Sequence, residues 1–231
     1  MIKKGSVARR MFLSRLGSGL GLVGATAAGT QSAAAQSVGE TRWQPTLHEQ
    51  DDWMSKVPGQ HRLVFDTVST EGFASALQFA NNFFTANGTG YGLKDSDIAV
   101  IIIARHKSTA FAYNDAIWAK YSATLSTQTG FTDPNTKEAP VVNVYGTAGD
   151  GAAQRPGRLH SLITKGAHLA VCQMATRAIA GQISRANPGT TTEAIFAELA
   201  ANLVKNAHLA PAGIVAVSRA QERGYTFVNG G

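Results

Sequence analysis

Cysteine is nearly missing from this chain, with Cys172 alone among 231 residues. An intramolecular disulfide is thereby excluded, and with it the stapled scaffolds common among small secreted domains. No run of about 20 strongly apolar residues occurs, so nothing reads as a permanent membrane span. The six histidines, at 48, 61, 106, 160, 168 and 208, are scattered, without a His-Glu-x-x-His motif or a pair at helical spacing. That pattern argues against a metal centre. No Gly-x-Ser-x-Gly elbow points to a hydrolase triad. Gly88-Thr89-Gly90-Tyr91-Gly92 follows a helical pattern and precedes a strand, the reverse of the order a phosphate cradle needs. Neither a metal nor a cofactor is expected.

Acidic residues are absent from one stretch in particular. Residues 1–35 hold Lys3, Lys4, Arg9, Arg10 and Arg15 and no Asp or Glu. Setting those five aside leaves 16 Lys and Arg against 15 Asp and Glu, so the formal charge of +6 belongs mostly to the leader. A nucleic-acid partner, which calls for a basic patch on the folded domain, is not expected. The leader has the order of an export signal: a basic start, a weakly apolar stretch broken by Gly17, Gly19, Gly21 and Gly24, then Ala33-Ala34-Ala35 before Gln36. Arg9-Arg10-Met11-Phe12-Leu13 carries the paired arginines and x-Phe-Leu that the twin-arginine translocase reads. Ala8 and Ser14 depart from the usual flanking residues. The expectation is a twin-arginine signal peptide over residues 1–35, engagement of that translocase, cleavage, and a periplasmic protein without a membrane span.

The remainder, about 196 residues, is long enough for one domain with a sizeable core. Residues 36–59 are polar, carry Pro45 and Pro58, and read as an N-terminal tail or linker. From residue 60 to 229, strand patterns alternate with helix patterns. Arg62 to Asp66 reads as a strand, Phe73 to Phe84 as a helix stopping at Asn87-Gly88, and Ala110 to Tyr121 as a second helix. Ile98 to Ala104 is an unbroken apolar run rich in β-branched residues, as suits a strand covered on both faces. Ala167 to Val171 reads as a buried strand, Met174 to Ile183 and Thr192 to Lys205 as helices. Ile214 to Arg223 is a further helix before a closing strand, Tyr225 to Val228. This alternation predicts an α/β fold, a mostly parallel sheet with helices on both faces. Residues 122–157 hold three of the seven prolines and several glycines, and read as an insertion able to cover a site.

Cys172 stands directly after a predicted strand and directly before a predicted helix. In open α/β sheets ligands bind at that edge, and a helix N-terminus there favours a thiolate. A free cysteine is also, often, a small hydrophobe of the core. Arg105-His106 follows the strand Ile98–Ala104 and so falls at the same edge, where a cation and an imidazole suit an anion or a proton. Asn114 and Asp115 lie within the next helix pattern, Ala110 to Tyr121, and complete the candidate substrate-binding set.

Three segments together resemble the DsrE/DsrF-like (YchN-like) family, in its exported branch. They are Ile103-Ala104-Arg105-His106 leading into Phe111–Tyr121, Gly166–Cys172, and Pro211–Tyr225. The likeness spans roughly residues 60–228. It implies a small flavodoxin-like three-layer fold and a homo-oligomer. It also implies a persulfide-carrying role for the cysteine at position 172, with a small sulfur-containing anion as substrate. Two readings follow from the residues and the resemblance together. One is a sulfur carrier or sulfurtransferase-like protein acting through Cys172, with Arg105 and His106 holding the anion. The other is a non-catalytic module that binds a small ligand or partner and keeps Cys172 as a structural residue.

Overall fold

A computed structural model describes residues 44–133, 136–146 and 158–230. The signal over residues 1–35 and, within the insertion, residues 134–135 and 147–157 lie outside the described residues. Among the described residues five strands form one sheet: β1 (His61–Thr67), β2 (Ile98–Ala104), β3 (His168–Cys172), β4 (Ala207–Ala210) and β5 (Thr226–Asn229). Their order is β4-β3-β2-β1-β5 and every pairing is parallel. Seven helices accompany them among the described residues: α1 (Asp52–Lys56), α2 (Thr70–Tyr91), α3 (Asp115–Thr129), α4 (Leu159–Thr164), α5 (Gln173–Ala186), α6 (Thr192–Ala201) and α7 (Gly213–Glu222). The architecture is the three-layer α/β arrangement expected, with a sheet that is wholly parallel.

Side-chain alternation along each strand assigns the two faces. Phe65 on β1, Ile102 on β2 and Leu169 and Val171 on β3 join a core with α2, α3, α4, α5 and α6. Val64, Ile101, Ile103 and Ala170 point the other way and, among the described residues, meet only the helices α1 and α7. β2 is buried at all seven positions, as a central strand with cover on both sides must be. The chain steps from β1 to β4 in one direction, with its connecting helices on the first face. It then returns across the sheet through α7, on the second face, to place β5 beyond β1. Right-handed crossovers force that change of face when the direction of travel reverses. The reversal lies between β3 and β4, whose last paired residues are Cys172 and Ala210.

Two helices run further than their patterns suggest. α2 continues through Asn87 and Gly88 to Tyr91 and stops at Gly92, in the left-handed conformation (φ 68°) where a side chain would be strained. α3 begins at Asp115, after a 3-10 segment over His106–Ala112, and reaches Thr129 with a break in helical geometry at Tyr121. Leu125 is fully buried and draws the Ser- and Thr-rich end of α3 onto the core. The region that read as an insertion from 122 therefore starts as helix. Its later residues are pinned by Asn143, which is 2% exposed and donates to the carbonyls of Phe111 (2.8 Å) and Tyr113 (2.9 Å). Tyr145 packs edge-on against Phe111 and donates to the carbonyl of Thr70 at 3.0 Å.

Candidate functional site

Cys172 closes β3 and caps α5, so one residue belongs to both elements. Its Sγ accepts the backbone N–H of Ala175 at 3.4 Å, in the manner of a serine N-cap, and the residue is 7% exposed. The amide points its partial positive charge at the sulfur, and the dipole of a 14-residue helix adds to it. The turn is held from beneath. Thr176 donates to the carbonyl of Cys172 at 3.0 Å and accepts from the hydroxyl of Tyr113 at 3.1 Å. Tyr113 is fully buried, and that burial raises its pKa, with smaller contributions from Thr176, which opposes, and from the charge of Cys172. It stays a neutral donor.

Arg105 follows β2 on the same face as Cys172. Its Nε and Nη2 donate to the two carboxylate oxygens of Asp66 at 2.7 and 2.8 Å, a bidentate pair. The hydrogen bond to Asp66 is the chief cause that raises the pKa of Arg105. Burial opposes it, and the charges of Asp66 and Cys172 add to it. Arg105 and the sulfur thus interact electrostatically, but the guanidinium is oriented by Asp66 and its charge is largely matched. The strand ends are tied by Ser108, whose Oγ donates to the carbonyl of Thr67 at 2.9 Å and accepts the N–H of Arg105 at 3.0 Å.

The second helix terminus at this edge belongs to α7. It begins three residues after Ala210, and Gly213 lies directly on Arg105. A Cβ there would come within 2.5 Å of the Arg105 Cβ, so only glycine permits the approach. Ala212, at the N-cap, offers no side-chain acceptor to the first N–H groups of α7. Two large apolar side chains flank the edge, Met174 (67% exposed) on α5 and Ile214 (60%) on α7. A thiol, a paired arginine and two helix N-termini thus converge where the chain reverses direction, the position at which open parallel sheets bind ligands.

The other predicted residues go elsewhere. His106 adopts φ 57°, a left-handed backbone that turns the chain away from Arg105. It is exposed in a groove between α3 and α5, with its carbonyl accepting Gln128 Nε2 at 3.1 Å. Asn114 is the N-cap of α3: Oδ1 accepts the N–H of Ile117 at 3.2 Å and Nδ2 donates to Asn202 Oδ1 at 3.2 Å. Asp115 accepts the N–H of Asn143 at 2.8 Å and anchors the insertion. Asn202 precedes β4, so this pair lies toward the opposite end of the sheet from Cys172. Of the five residues picked from the sequence, the fold brings together Cys172 and Arg105. Asp66, Gly213 and Thr176 join them. Asp66 ends the first predicted strand, so its place at this edge was open to inference; its pairing with Arg105 was not.

Among the described residues no cluster of three or more His, Cys, Asp or Glu has the geometry to hold a metal. No described helix is long and apolar enough to cross a membrane. Comparison with known proteins adds no relative: no family model, no curated protein and no solved structure matches this chain.

Proposed function

We propose that this chain is an exported DsrE-like protein that carries sulfur as a persulfide on Cys172, working in the periplasm after twin-arginine export. The observation that carries the reading is the position of the sulfur. It caps α5 at the point where the chain reverses direction across the sheet, beside the Arg105–Asp66 pair and the uncapped start of α7, which supplies positive potential. With thiosulfate as donor, the Cys172 thiolate attacks the outer sulfur and a new S–S bond forms. The original S–S bond breaks and its electron pair leaves with sulfite. Charge and electrons balance without an external oxidant. Both reactants are anions, so the step needs local positive potential; the two helix N-termini supply it, while Arg105, paired with Asp66, adds little net charge. Asp66 orients Arg105 through both oxygens, which keeps the guanidinium fixed while the substrate changes.

The test is the intact mass of the purified full chain after exposure to thiosulfate or polysulfide. The expected result is a gain of about 32 Da, one sulfur atom, that is absent in Cys172→Ser. A chain that stays unmodified while its unfolded form reacts freely would overturn the reading. The rival, a non-catalytic ligand- or partner-binding module with a structural cysteine, draws on one specific observation: Cys172 is only 7% exposed. A homo-oligomer, with Met174 and Ile214 as exposed apolar contacts, fits either reading.

A further inference from the structure

Asp66 governs the electrostatics of the edge at which Cys172 lies. It is buried at the end of β1, and both its carboxylate oxygens accept from Arg105, at 2.7 and 2.8 Å. The one cation beside the sulfur that the sequence singles out is therefore matched by an anion. Gly213 closes the space on another side of that cation. A Cβ there would meet the Arg105 Cβ and Cδ at 2.5 and 2.7 Å, so α7 sits directly against the arginine stem. The hydrogen bond to Asp66 leads the causes that raise the Arg105 pKa, and the charge of Cys172 is among the rest. The pair thus lies within electrostatic reach of the sulfur.

What is left to receive an anion is the two helix N-termini, α5 at the sulfur and α7 beside Arg105, each equivalent to about half a positive charge. Together they about balance a Cys172 thiolate. A donor carrying two negative charges finds nothing further to offset it, and a donor carrying one meets half that repulsion. The rim adds a second selection. Met174 and Ile214, exposed on the first turns of α5 and α7, offer apolar surface to a carbon substituent and no donor to an oxyanion.

We infer that the sulfur donor is a singly charged organic sulfane compound of the thiosulfonate type, and that Asp66 sets this preference by matching the charge of Arg105. The inference rests on the persulfide reading of Cys172 and narrows it. In the step, the Cys172 thiolate attacks the terminal sulfur of R–SO2–S⁻ and a new S–S bond forms. The S–S bond of the donor breaks, and its electron pair leaves with the sulfinate R–SO2⁻. Two negative charges enter and two remain, and no external oxidant takes part.

Methanethiosulfonate and thiosulfate are the probes, since they differ by a methyl in place of one oxygen and hence by one charge. Loading of Cys172 in the full chain is timed by intact mass. Each rate is divided by that of N-acetylcysteine with the same donor, which removes intrinsic reactivity. The expected result is a corrected preference for methanethiosulfonate of at least about tenfold. A unit of charge acts once on the monoanion and twice on the dianion. Asp66→Asn should therefore speed methanethiosulfonate by about threefold and thiosulfate by about tenfold, and Arg105→Gln should slow them by the same factors. The double variant, again without net charge, should return to the wild-type preference, as loss of a merely structural pair would not. A corrected wild-type preference below about twofold, or substitutions that change both rates by one factor, would overturn the inference while leaving the persulfide reading intact. Loading from neither donor would overturn that reading itself.

Discussion

The two faces of the sheet are built to different standards. One lies under α2, α3, α4, α5 and α6 and holds a continuous aromatic core, with Phe73, Phe111 and Trp118 stacked at 5.4 and 5.7 Å between ring centres. The other has, among the described residues, only α1 and α7, and its strands and strand ends carry Asp66, Arg105, His168, Cys172 and His208 among aliphatic residues. Thick cover excludes water and fixes shape. Thin cover leaves titratable and nucleophilic side chains on the sheet itself within reach of solvent. The candidate thiol belongs to the thin side, at the edge where both helix layers begin.

The sharpest way to break this contrast is to open the thick side. Phe111 is fully buried and touches Phe73, Trp118, Phe131 and Tyr145. Phe111→Ala should cost about 3–5 kcal/mol by loss of transfer energy and the cavity left behind. Urea denaturation measures it, and a loss below about 1 kcal/mol would show that the aromatic cluster is not the centre of the core.

On the thin side the expected effect is smaller and depends on pH. His168 Nδ1 lies 3.0 Å from His208 Nε2, and the Trp53 ring stacks on His208 with ring centres 4.0 Å apart. Burial, then the charge of His208, push His168 down from the usual 6.5 to about 4; burial also lowers His208. Between those two values the unfolded chain holds a proton that folded His168 does not, so stability falls as pH falls from 6.5 to 4. Full burial would make this about 3 kcal/mol, and solvent around the half-exposed ring reduces it to about 1–2 kcal/mol. Denaturation midpoints at neutral and mildly acid pH test it. His168→Gln should flatten the dependence, and an unchanged slope would place the titration elsewhere.

The same contrast decides what the sequence makes legible. The central strand β2 stands out as Ile98–Ala104 because both its faces are covered, leaving an unbroken apolar run. The edge strand β4, Ala207–Ala210, lacks β-branched residues and is fully buried only at Ala210, so no pattern marks it. The last turns of α3 read as the start of the proline- and glycine-bearing insertion, and their serines and threonines do not mark a helix. These are accommodated by bonding back into the helix, as Thr127 does to Ala123 and Thr129 to Leu125. At the site, Cys172 and Arg105 are legible because a strand end needs only local sequence to place. Asp66 as partner of Arg105, 39 positions away, depends on strand register. His106 is adjacent to Arg105 in sequence and turned away from it by its own left-handed backbone, which no side-chain pattern shows.

Asn114 draws the finest line between scaffold and chemistry. It reads from sequence as a candidate for holding substrate, yet both ends of its side chain are spent on structure, capping α3 and bonding Asn202. Asn114→Ala should cost about 1 kcal/mol, the usual value of a lost N-cap, and a little more if Asn202 is left unpartnered. Because this pair lies toward the far end of the sheet, sulfur loading at Cys172 should proceed at the wild-type rate in the same variant. Mass spectrometry and denaturation on one preparation separate the two effects. Slowed loading with unchanged stability would move Asn114 from the frame of the fold to the site, and the thin face would then have to share its chemistry with the thick one.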